Sequence, residues 1–128
     1  MTTGHILLAH GSRDPEWPAA IDAVAARIRQ LNPATPVRCA YLEHTQPDLA
    51  SALDALLAQR ALTILIWPMF LGLGRHARDD LPRLIAGEQE RIHARRPDIT
   101  LALQPAIAED DRVLDAIARV ILHKPSNF

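Results

Sequence analysis

The feature that most constrains the fold is an alternation of two hydrophobic periods. Short runs of branched and aliphatic residues alternate with segments whose apolar residues recur at helical spacing. His5–Ala9, Val37–Leu42, Leu62–Trp67 and Ile99–Leu103 read as buried strands. Between them, Trp17, Ile21, Val24, Ile28 and Leu31 mark a first helix, which Asn32-Pro33 stops. Pro47-Asp48 opens a second helix, with the stripe Leu49, Leu53, Leu56 and Leu57. A long polar helix is expected from about Asp79 to Arg95, and Pro97 ends it. A last helix, Glu109–His123, carries Val113, Ile117, Val120 and Ile121 on one face. Such alternation means βαβ units: an α/β fold with a four-stranded parallel sheet and helices on both faces. The common flavodoxin-like strand order, 2-1-3-4, is the working expectation.

With 128 residues and no internal repeat, linker or low-complexity tract, residues 1–128 are expected to form a single domain, with the tail from about residue 124 frayed. That length buries enough surface for a core without staples. The formal net charge of −1 gives no basic excess to suggest nucleic acid or an anionic membrane as partner. The sole cysteine, Cys39, falls in a strand and reads as a buried inert thiol. The longest apolar run, "LTILIWPMFLGLG", is interrupted by Pro68 and two glycines and falls short of a membrane helix. No signal-like start is visible, so a soluble cytoplasmic protein is the expectation.

The reactive residues cluster at one place in this plan. Ligands of open α/β sheets bind beyond the carboxyl ends of the strands, at the switch point of strand order. His10 follows strand one, Glu43 and His44 follow strand two, and His76 lies in the loop after strand three. With order 2-1-3-4, those three strand ends span only roughly 10 Å. Two imidazoles and a carboxylate suit a borderline divalent ion such as Co²⁺, Ni²⁺ or Fe²⁺. They equally suit proton transfer near neutral pH. Ordinary solvated side chains remain the alternative for His10 and His76 and the preferred reading for His5, His93 and His123. His44 is ambiguous, since it adjoins Glu43 yet can point the other way.

The stretch "GLGRH" has two readings: an anion-binding turn, or a flexible loop that lets a flat ligand approach. It lacks the third glycine of a dinucleotide fingerprint and the lysine of a P-loop. "AHGSRD" superficially matches the "RHG" of histidine phosphatases, but Ala9 stands where that motif needs arginine. Histidine phosphotransfer is thus a weak rival.

Taken together, "LLAHGSRDP", "AYLEHTQPDLASALDAL" and "ILIWPMFLGLGRHARDDLP" resemble the CbiX/SirB family of sirohydrochlorin chelatases, over about Ile6 to Ile121. The most specific element is P-x-F-L-x-x-G-R-H-x-R-x-D-x-P, from Pro68 to Pro82. The resemblance implies a chelatase-like fold and ATP-independent insertion of Co²⁺, Ni²⁺ or Fe²⁺ into sirohydrochlorin, in cobalamin, sirohaem or related tetrapyrrole biosynthesis. It implies His10 and His76 as the metal-binding and proton-accepting pair, with Glu43 as third participant. The metal is then a substrate, and no permanently bound cofactor is expected. Ser12, Arg13, Met69, Phe70, Leu71, Gly74, Arg75 and Arg78 become candidate substrate contacts: the apolar set as a wall for the macrocycle, the arginines for its rim carboxylates. Core packing and surface solvation are the plain alternatives for those two sets. Short relatives imply a homodimer, with the "MFLGLG" loop and the helix near Asp79 as candidate contact surfaces. The chain departs from the family at "EHTQP", where relatives often carry an "ELAEP"-like run and Gln46 replaces a second acid. A carrier of metal or tetrapyrrole with the same fold is the non-enzymatic alternative.

Overall fold

The computed structural model describes residues 2–124. Four strands, β1 (Thr2–Ala9), β2 (Val37–Tyr41), β3 (Ala61–Pro68) and β4 (Thr100–Leu103), form one sheet in the order β2-β1-β3-β4. All neighbours pair in parallel. The helices are α1 (Ala19–Leu31), α2 (Leu49–Ala58), α3 (Arg75–His93) and α4 (Asp111–Leu122), with a 3₁₀ turn at Ile107–Glu109. The expected sheet and strand order are therefore present. Of the tail expected to fray, residues 125–128 lie outside the described residues.

Side chains alternate across the strands, and each face has its own cluster. Ile6 and Leu8 of β1, with Ile64 and Ile66 of β3, are buried beneath α2 (Leu49, Ala52, Leu53, Leu56) and α3 (Leu81, Ile85, Ile92). On the other face, Leu7, Val37, Trp67 and Met69 meet Ile21, Ala25 and Ile28 of α1. Cys39 joins this second cluster, and burial pushes its thiol up to about 11, in keeping with an inert side chain.

Two local expectations are corrected. Trp17 lies in the turn before α1, its ring edge-on to Tyr41, and Leu31 is exposed, so the buried stripe of α1 is shorter than its spacing implied. The long polar helix begins at Arg75, not near Asp79. Asp79, Asp80 and Pro82 resemble a helix start, yet Gly74 in extended conformation is the N-cap and Pro82 sits inside the helix. His76 is thus helical rather than in a loop. Helix α4 buries no residue, although its apolar residues fall on one face as expected.

Candidate active site

The switch point of a β2-β1-β3-β4 sheet lies between β1 and β3, the strands that lead outward in opposite directions. His10 leaves β1 there, and its ring lies 4.5 Å from that of Phe70, just past β3. The loops after β1 and β2 are laced together beyond the last paired residues, Ala9 and Tyr41. The Leu42 N–H donates to the Ala9 carbonyl at 3.0 Å, and the Glu43 N–H to the His10 carbonyl at 2.9 Å. Gly11 follows with φ +95°, and its backbone presses on the Glu43 carbonyl so closely that a Cβ there would collide with it. Only glycine meets both conditions.

Thr45 then closes the lacing. Its hydroxyl accepts from the Ser12 N–H and donates to the Ser12 carbonyl, each at 2.9 Å. Between Glu43 and Thr45, His44 adopts φ 62°, and its Nδ1 accepts from Arg13 Nε at 3.5 Å. His44 Nε2 lies 3.7 Å from a Glu43 carboxylate oxygen. Strand pairing therefore brings His10, Glu43, His44, Ser12, Arg13 and Phe70 into one neighbourhood. Gly11 and Thr45 were not singled out from sequence, because their roles depend on two loops some thirty residues apart.

His76 arrives separately, in the first turn of α3, exposed to solvent. Among the described residues it makes no hydrogen bond or ion pair to the His10 loop. Nor do three or more His, Cys, Asp or Glu side chains among them form a group that could hold a metal ion. His10, His76 and Glu43 are therefore not a preassembled ligand set. Gly74, Arg75, His76 and Arg78 make up the start of α3, which has no side-chain cap and no acid in its first turn. Cations there oppose the helix dipole, so this end of the molecule is doubly suited to anions.

Of the candidate apolar wall, Phe70 packs against the main core and Met69 against the second cluster, while Leu71 is exposed. A substantial cavity lies elsewhere. It is an apolar groove of about 830 Å³ on the α1 face, lined by Leu7, Val24, Trp67, Met69, Ile117 and Ile121 among others. None of His10, Glu43 and His76 lines it. Met69 lines it, whereas Phe70, the next residue, packs with the cluster on the opposite face of the sheet.

Comparison with known proteins places the chain. It is 29% identical over 119 residues to a protein described as sirohydrochlorin cobaltochelatase in Saccharolobus islandicus, covering 91% of each. A crystal structure of a CbiX protein from Marinobacter aquaeolei VT8 superposes with a TM-score of 0.79 at 30% identity, covering 95% of this chain and 96% of that one. The cobalt complex of the sirohydrochlorin chelatase SirB from Bacillus subtilis subspecies spizizenii shares the fold, with a TM-score of 0.75 at 24% identity. This chain spans 51% of that SirB chain. The family model for CbiX matches residues 4–123, and the chain belongs to the CbiX family.

Proposed function

We propose that the chain is an ATP-independent chelatase that inserts a divalent metal into sirohydrochlorin, with Co²⁺ first and Ni²⁺ or Fe²⁺ as alternatives. One observation carries the reading. The histidine that follows β1 stands against Phe70 at the switch point of a domain related over 91% of its length to a sirohydrochlorin cobaltochelatase. The reaction exchanges one dication for two pyrrole N–H protons. Neutral imidazoles of His10 and His76 receive the ion, and as it passes to the ring they are free to take protons. Glu43, hydrogen-bonded through its backbone to His10, accepts a proton or orients an imidazole.

Sirohydrochlorin presents a flat apolar body with a rim of carboxylates. The uncapped, arginine-bearing start of α3 suits that rim through Arg75, Arg78 and the free N–H groups after Gly74. Arg13, beside His44, and Ser12 serve the rim from the β1 side, and Met69, Phe70 and Leu71 serve the apolar face. We assign the metal to the substrates, the reaction to the cytoplasm and the working form to a homodimer.

Turnover separates this reading from a carrier of the same fold. Catalytic amounts of protein, with sirohydrochlorin and Co²⁺ under anaerobic conditions, are expected to give many product molecules per chain. His10→Ala and His76→Ala should each lower kcat by roughly 100-fold or more, the usual scale for a lost acid–base group, with unchanged thermal unfolding. Product limited to one molecule per chain identifies a carrier. Near-normal turnover by both folded variants removes the two histidines from the mechanism.

A further inference from the structure

The loop after β2 places the Thr45 hydroxyl against the backbone that follows β1. Among the described residues, no backbone group beyond Glu43 bonds to Ser12. Thr45 supplies a partner with a single oxygen, which accepts from the Ser12 N–H and donates to the Ser12 carbonyl, both at 2.9 Å. Ser12 and Thr45 are both half-buried, so these backbone groups are not freely hydrated. On the other side of Gly11, the Glu43 N–H holds the His10 carbonyl at 2.9 Å. Residues 10–12 are thus gripped at both ends by residues 43–45, with Gly11 pressed flat between them.

We infer that Thr45 is a positioning residue: its hydroxyl fixes the backbone after His10 and thereby holds the imidazole against Phe70. This rests on the chelatase reading for its kinetic consequence, though not for its structural one. A hydroxyl has the donor and acceptor that the task needs. Valine has the same shape and neither function, so Thr45→Val leaves two backbone groups of Ser12 without partners. Serine keeps both.

The test uses the whole chain with sirohydrochlorin and Co²⁺, together with NMR of the free protein. Thr45→Val is expected to lower kcat roughly 10- to 100-fold, the range found when a group that orients a metal-binding residue is lost. KM for sirohydrochlorin should change little, and Thr45→Ser should restore kcat to within about threefold of the native chain. In the free protein, Thr45→Val should speed hydrogen exchange at the Ser12 amide and move the His10 ring resonances. Unchanged kcat in folded Thr45→Val overturns the inference, as does equal impairment of Thr45→Ser. If Thr45→Val does not fold, Thr45→Cys, similar in size but a weak bonding partner, carries the same comparison. If the native chain inserts no metal, the chelatase reading fails and NMR decides alone: unchanged Ser12 exchange and His10 resonances overturn the positioning role.

Discussion

Gly11 bears the most severe steric condition around the candidate site. Its φ of +95° already disfavours any side chain, and a Cβ would run into the Glu43 carbonyl. That carbonyl belongs to backbone held in place by the Glu43–His10 and Thr45–Ser12 bonds, so it cannot yield cheaply. Gly11→Ala should therefore cost at least the ~1–3 kcal/mol of a strained backbone position. It should also part the His10 and Glu43 loops. A urea midpoint equal to that of the native chain would mean that the loops separate without cost. At this scale the sequence was legible where chemistry is carried by residue type. His10, Glu43, Arg13 and Phe70 stand out as reactive or bulky groups at strand ends. Gly11 and Thr45 do not, because their importance lies in partners from the other loop, and no local pattern encodes that pairing.

Elements were legible where their signals are local. The branched runs of β1 to β4 and the leucine stripe of α2 each record their own period, and Asp48 caps α2 by accepting from the Ser51 N–H at 2.9 Å. The start of α3 was misread because Asp79, Asp80 and Pro82 imitate an N-terminus, whereas the true one is built by a glycine and basic residues suited to an anion. Pairing between β1 and β3 also creates a pH dependence no single element reveals. The Trp67 indole N–H donates to His5 Nδ1 at 3.0 Å, which requires that nitrogen to be unprotonated. Burial lowers the His5 pKa. The folded chain then binds fewer protons than the unfolded chain between the lowered value and the unfolded one of about 6.5. This contribution to stability is full above about 6.5 and is lost as pH falls through that interval. The urea midpoint should drop between about pH 7.5 and 5, and His5→Gln should flatten the drop. An equal slope in both proteins would assign it to other groups.

For the molecule as a whole, the sheet satisfies its α2–α3 face and leaves the other incompletely covered. Helix α4 is 12 residues long, buries none of them, and leaves Val120 and Ile121 68% and 71% exposed. Its apolar stripe and α1 enclose the groove above Trp67, Leu7 and Met69. This surface is distinct from the "MFLGLG" loop and the helix near Asp79, the contact surfaces expected from sequence. We propose a second copy of this chain as its occupant, because the apolar stripe of α4 is self-complementary about a two-fold axis. About a two-fold axis near Ile117, antiparallel α4 helices would set Val113 of each copy beside Ile121 of the other, while Asp115 and Arg119 keep their own pair at 2.8 Å on the outer face. Such helices, each about 18 Å long, would seat an apolar stripe in each groove and oppose their dipoles favourably. Met69, just past β3, is the groove residue next to Phe70 in sequence, and we propose that a second copy seated there helps to enclose a macrocycle too wide for one domain. The native chain should sediment as a dimer at assay concentrations. Ile121→Asp places a charge in the contact without disturbing a buried position, so it should give a folded monomer, with sirohydrochlorin insertion lowered roughly 10-fold or more, the scale of a lost interface anchor. A native chain that is monomeric and fully active would leave α4 exposed for some other purpose. A dimer untouched by Ile121→Asp would move the interface away from this helix.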